Sequence, residues 1–287
     1  MAYVKSIELF LVNGTADSLI TAELSNWNGK AIKIPRIEIG NCDRDDIKSP
    51  GVYFLFGKED DENESGDFVY IGESENIKDR LVQHIRDYPD KENFYWTTAV
   101  IFIGRDLNKA LIRYLEDQLV QIARDSKRYK VRTKNTYSNT VIKESQKAAM
   151  LEFIDIVKVL VNTLGYKVLE PIVQNLSETS NREDKLFLKT RKGVATGLVT
   201  NEGFVLLKGS TIAETISNSV SKSVENLRNK FMLDQKIVDF KTTEDIIFQS
   251  SSAAAVFVTG NSMSGPISWK NQEGKTLKEI ESKKANK

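Results

Sequence analysis

Six side chains in the first half of this 287-residue chain are of types that act on phosphodiesters: Tyr53, Tyr70, Arg80, His84, Glu116 and Asn135. Hydrolysis of that bond needs an acceptor for the proton of water, a cation for the developing charge, and a carboxylate for a divalent metal. These residue types fit that requirement. Arg80 and His84 stand four residues apart, so they share one face of a helix. Composition removes the main competitors. His84 is the only histidine and Cys42 the only cysteine, which excludes a Cys/His zinc site and an internal disulfide. Any Ser-His-Asp or Cys-His arrangement would have to use His84. Taken singly, each residue has an ordinary reading: strand tyrosines pack in cores, and Arg80 and Glu116 sit on solvated helix faces. Their order along the chain gives the set its weight.

The elements that must carry them are legible. GVYFLFG, 51–57, is a short apolar run that predicts a buried strand, and FVYIGES, 68–74, the next one. The acidic KEDDENESGD between them, 58–67, predicts a hairpin loop. NIKDRLVQHIRDY, 76–88, places Ile77, Leu81 and Ile85 at helical spacing and stops at Pro89. FYWTTAVIFIG, 94–104, predicts a third strand. Asn108 is a suitable N-cap for a helix over 108–125, with Leu111, Leu115, Leu119 and Ile122 on its apolar face and Glu116 along it. A basic loop, 124–134, and then Asn135 in KNTYS follow.

Upstream, SIELFLV, LITAEL and WNGKAIKIP predict strands, with turns at Asn13-Gly14 and Trp27-Asn28-Gly29. Downstream, a helix over about 143–164 precedes a polar linker, NLSETSNRED, at 175–184. Then come the strands KLFLKT, VATGLVT and GFVLLKG, with a turn at Asn201-Glu202-Gly203. A helix from about Thr211 to Met232, an Ala-rich helical piece, a strand around Trp269 and a disordered SKKANK tail complete the expectation. The implied organisation is a β region at 1–50, a central domain at 51–140, a helical connector and linker at 141–180, and an α+β module at 181–287.

GVY at 51–53, YIG at 70–72, the R-x-x-x-H from Arg80 to His84, the glutamate in RYLEDQLV and the asparagine in KNTYS occur in the order of the GIY-YIG nuclease family. Residues 51–140 resemble that family. The resemblance implies a small three-stranded antiparallel sheet flanked by helices. It implies Tyr53 as general base for water, directly or through a neighbour, since a free tyrosine has a pKa of about 10 and needs help. Tyr70 would position water or phosphate. Arg80 would bind the scissile phosphate, with His84 hydrogen-bonded near the tyrosine or phosphate. Glu116, favoured over its neighbour Asp117, would be the protein ligand of a single Mg²⁺ or Mn²⁺, which retains much of its water shell. Asn135 or Asn139 fills the asparagine position.

The net charge of +1, from 41 basic and 40 acidic residues, speaks against a partner held by bulk charge alone. It averages unlike parts. Arg124, Lys127, Arg128, Lys130, Arg132 and Lys134 against Asp125 give one short segment a net +5, a candidate DNA-contacting surface. Residues 181–287 carry another +5. The segments KGVATGLVTNEGFVLLKGS and SSAAAVFVTGNSMSGPISWKNQEGKTL resemble a module of uncharacterised function that accompanies one subgroup of the family. Target recognition is the expectation for it, with Trp269 and Phe257 as candidates for stacking on bases. No leader of the signal-peptide kind and no apolar stretch of roughly 18 residues is present, so the expected compartment is the cytoplasm. The function implied is metal-dependent DNA endonuclease activity, in defence, mobile-element biology or repair. A non-cutting nucleic-acid-binding or protein-interaction module on the same fold is the rival. One centre per chain implies that double-strand cleavage takes a homodimer or two successive nicks.

Overall fold

The computed structural model describes residues 4–61, 64–171, 185–190 and 193–285. The chain is a mixed α+β protein of two compact units, Met1–Pro171 and Ile172–Lys287. The linker expected at 175–184 lies outside the described residues.

The first unit is built on one sheet. Its strands are β1 (Ile7–Leu11), β2 (Ile20–Leu24), β3 (Gly29–Pro35), β4 (Gly51–Asp61), β5 (Glu64–Ser74), β6 (Trp96–Gly104) and β7 (Lys130–Val131). Their order across the sheet is β1-β2-β3-β6-β4-β5-β7. All neighbours are antiparallel except β5 and β7. The three strands expected from the motif region are adjacent as β6-β4-β5, but they are the middle of a larger sheet. Residues 1–50 are continuous with it, because β3 pairs with β6 from Gly29↔Gly104 to Pro35↔Thr98.

Alternation along β4 divides the unit into two cores. Val52, Phe54 and Phe56 face one side, packed with helices α2 (Lys109–Ser126) and α3 (Glu144–Thr163). Tyr53 and Leu55 face the other, packed with helix α1 (Ile77–Asp87). A period of two therefore puts Tyr53 on the side of α1, together with Tyr70 of β5. Both faces of β4 are covered, which is why residues 51–57 read as an unbroken apolar run.

The second unit has a four-stranded antiparallel sheet, β13-β10-β9-β8, from β8 (Leu186–Thr190), β9 (Gly193–Thr200), β10 (Gly203–Leu206) and β13 (Ile246–Phe248). A small ribbon, β11 (Ile237–Val238) with β12 (Lys241–Thr242), and helices α4 (Lys222–Leu233), α5 (Ser251–Thr259), α6 (Gly265–Ser268) and α7 (Leu277–Ala285) complete it.

Several local expectations change. The acidic 58–67 stretch is mostly strand, with the β4–β5 ladder running out to Asp61↔Glu64. The long helix expected from Thr211 is confined to α4. The backbone before it is bonded elsewhere, Ile212 N to Phe240 O and Ala213 N to Val258 O, and Ser221 caps the shorter helix through Ser223 N. Trp269 follows α6 rather than lying in a strand, and α7 extends the ordered chain into the tail expected to be disordered. Trp269 and Phe257 are core residues of the second unit, the indole Nε1 donating to Ser251 O at 2.9 Å. Buried in this way, neither ring presents a face for stacking on a base.

Candidate active site

Three of the six predicted side chains meet on the α1 side of β4. The Tyr53 hydroxyl lies 2.8 Å from His84 Nε2 and accepts from Arg80 Nε at 3.3 Å. Each position has a local cause. Tyr53 is opposite Gly72 in the β4–β5 ladder. A Cβ on Gly72 would come within 2.4 Å of the Tyr53 hydroxyl, so the glycine of YIG leaves the room in which the phenol sits. Asn76 caps α1 by accepting from Asp79 N. The helix then buries Ile77, Leu81 and His84 on one face. Arg80 lies four residues before His84, and both reach the same hydroxyl. Tyr70 completes the cluster: its ring centroid is 6.3 Å from that of Tyr53 and 5.1 Å from that of His84.

The electrostatics follow from burial. Removal from water pushes the Tyr53 phenol well above the ordinary tyrosine range, and Tyr70 is raised for the same reason. Burial also works against the charge on Arg80, but the two phenols more than offset it and raise its pKa. The cluster at rest is thus a pair of neutral phenols beside a fixed guanidinium.

Glu116 projects from α2. Burial, with Glu73 as the next contributor, raises its carboxyl to about 7. It also feels Lys109 and Arg80, which act in the opposite sense. Only 7% of Glu116 is exposed, and among the described residues it has no hydrogen bond or ion pair. Asp117, the other candidate in the pair, is held by Thr136 Oγ1 at 2.5 Å. Glu73, directly after YIG, is taken by Lys109 Nζ at 2.9 Å. A buried carboxyl with raised proton affinity and no cation bonded to it fits a divalent metal ligand. Among the described residues no cluster of three or more His, Cys, Asp or Glu forms a site that would bind a metal by protein groups alone.

Asn135 is exposed and, among the described residues, makes no hydrogen bond to Tyr53, Arg80 or His84. Asn139 lines an open cavity of about 570 Å³ with Lys109, Arg113, Thr136, Tyr137 and Ser138. Arg113 lies over the exposed ring of Tyr137, 4.1 Å from its centroid.

The basic segment is not a free loop. Arg124 donates to Thr133 O at 2.8 Å and Lys134 O at 3.2 Å. Arg128 donates to Glu170 O and Pro171 O. Lys130 and Arg132 both pair with Glu59. Lys127 closes α2 in a left-handed conformation, and Lys134 is exposed. These bonds tie β7 and the chain after α2 to the sheet, while Arg124, Lys127, Lys130 and Lys134 remain exposed and Arg128 and Arg132 half-buried. Sequence reasoning missed Glu73, Glu92, Lys109 and Arg113. Lys109 and Arg113 had a signal, because they precede Glu116 by seven and three residues and so share one helix face with it. Glu92 had none, because it lies in the irregular stretch between α1 and β6.

Residues 186–281 match a family described as a domain of unknown function (DUF4357). That match lies wholly in the second unit and meets the expectation of an appended C-terminal domain of uncharacterised function. No curated protein and no solved structure matches the chain. Among the described residues no helix is long and apolar enough to cross a membrane.

Proposed function

We propose that the first unit is a GIY-YIG-type endonuclease that hydrolyses DNA phosphodiester bonds with the help of Mg²⁺ or Mn²⁺. The observation that carries this reading is the Tyr53 hydroxyl, held between His84 Nε2 and Arg80 Nε, together with Glu116, which has no hydrogen bond or ion pair among the described residues. A divalent cation held by Glu116 would supply charge neutralisation at the phosphate. The protein residues supply the rest. Tyr53 cannot start as a phenolate at neutral pH, since burial raises its pKa. It takes the proton of the attacking water while passing its own to His84 Nε2. The water oxygen bonds to phosphorus as the opposite P–O bond breaks, and that leaving oxygen takes a proton from solvent. Arg80 supports the growing charge on the phosphate oxygens. Tyr70 orients the phosphate or the water.

The DNA strand reaches this site across Lys109, Arg113 and the Tyr137 ring. Lys109, Arg113 and Glu116 share one face of α2, and seven residues span about 10 Å along a helix. On this reading two cations and an aromatic ring would line the approach of the strand to the reacting phosphate. The appended C-terminal domain is read as a target-recognition module. The test is cleavage of plasmid and of branched or single-stranded DNA with Mg²⁺ or Mn²⁺ by the wild-type chain and by Glu116→Ala. Loss of product in the variant is expected, and equal inertness of both proteins on every substrate overturns the reading.

A further inference from the structure

We infer that Glu92 is a positioning residue that fixes His84 as the Nδ1–H tautomer, so that Nε2 is the acceptor for the Tyr53 proton. The inference rests on the nuclease reading for its catalytic meaning and on independent geometry for the tautomer. His84 is fully buried. Its Nδ1 lies 2.6 Å from Glu92 Oε1 and its Nε2 lies 2.8 Å from the Tyr53 hydroxyl. An ionised carboxylate only accepts, so Nδ1 carries a proton. A neutral imidazole then has its lone pair on Nε2, and the Tyr53 O–H is the donor to it. The Tyr53 oxygen keeps a lone pair for Arg80 Nε, whose approach at 3.3 Å is of the right sense. With a neutral imidazole beside an ionised carboxylate, the three side chains form a directed line, Tyr53 to His84 to Glu92.

The line is held at its far end. Glu92 N donates to Asp87 O at 3.1 Å, which pins the loop to the end of α1. Phe94, two residues on, stacks on Tyr70 with centroids 5.6 Å apart. The second carboxylate oxygen of Glu92 is buried without a hydrogen bond among the described residues. Arg36 sits over the rings of Tyr95 and Trp96 at 4.7 and 4.6 Å, and Glu92 is the weakest of three groups that oppose the effect of burial on the Arg36 guanidinium. The groups around His84 are thus Tyr53 from β4, Tyr70 from β5, Arg80 on its own helix and Glu92 from the loop. When Nε2 takes the Tyr53 proton, the imidazolium forms against a carboxylate already in place. Glu92 touches neither water nor phosphate in this scheme.

His84 is the only histidine, so nitrogen-15 NMR of the full chain reads one imidazole without assignment. The expected wild-type spectrum is the Nδ1–H tautomer, with a slowly exchanging, far-downfield Nδ1 proton. Glu92→Ala should lose that proton signal and populate Nε2–H. Glu92→Gln retains an acceptor oxygen and should restore the Nδ1–H form in part. In cleavage assays Glu92→Ala should lower kcat by about 10²- to 10³-fold with KM little changed, and Glu92→Gln should recover part of it. An Nε2–H tautomer in the wild type, or a Glu92→Ala spectrum identical to it, overturns the inference. An Nδ1–H spectrum from a wild type inert on every DNA supports the tautomer assignment while sinking the nuclease reading, so the two failures are distinguishable.

Discussion

Replacing Glu116 by glutamine should make the metal-free protein more stable above neutral pH. Folding buries this carboxyl and moves it from 4.5 to about 7. Between those values the unfolded chain holds fewer protons than the folded one, so stability falls as pH rises through that window. At roughly 1.36 kcal/mol for each tenfold, the full cost above pH 7 is about 3 kcal/mol. Glutamine does not titrate and has nearly the same shape. The variant should therefore gain about 2 to 3 kcal/mol over the wild type at pH 8 and almost nothing at pH 4. Mg²⁺ or Mn²⁺ should close most of this gap. At a hundredfold excess over its Kd, a ligand that binds only the folded state adds about 2.7 kcal/mol, to the wild type and not to the variant. Calorimetric and urea unfolding of both full-length proteins at the two pH values, with and without metal, reads all of this. A difference between the proteins that does not change from pH 4 to pH 8, or a wild type that gains on the variant across that window, refutes the burial argument.

Other expectations follow from single contacts. Gly72→Ala puts a methyl within 2.4 Å of the Tyr53 hydroxyl. It should cost about 1 to 3 kcal/mol in a urea melt and abolish cleavage with the far-ultraviolet circular dichroism unchanged. Lys109→Ala and Arg113→Ala should each lower the salt slope of DNA binding by about 1. In the second unit the Arg228 guanidinium bonds the carbonyls of Phe257 and Ala213, and burial lowers its pKa to about 10. Arg228→Met strands those carbonyls and should destabilise that unit by about 2 to 4 kcal/mol in urea.

Much of this architecture was legible because burial and periodicity coincide in the motif region. The unbroken apolar run of β4 marked a strand covered on both faces, and its alternation set Tyr53 and Tyr70 on one side. The Asn108 cap fixed the start of α2. What was not legible depended on contacts distant in sequence. The pairing of Lys130 and Arg132 with Glu59 was hidden because Glu59 lies some seventy residues away. Ile212 and Ala213 looked helical because the carbonyls that claim their amides belong to Phe240 and Val258. Trp269 suggested exposed stacking because an aromatic residue in a short irregular stretch carries no periodicity to mark it as core. Glu92 was invisible for the same reason, since only the folded loop brings it under His84.

Metal-dependent DNA cleavage by the full chain, followed as nicked and linear plasmid over time, tests the central claim most directly. The account predicts product from the wild type with Mg²⁺ or Mn²⁺, none on chelation, and losses of about 10³-fold or more in Glu116→Ala and Tyr53→Phe. Cleavage that persists at the wild-type rate in both variants, or a wild type as inert as they are on plasmid, branched and single-stranded DNA, would contradict it.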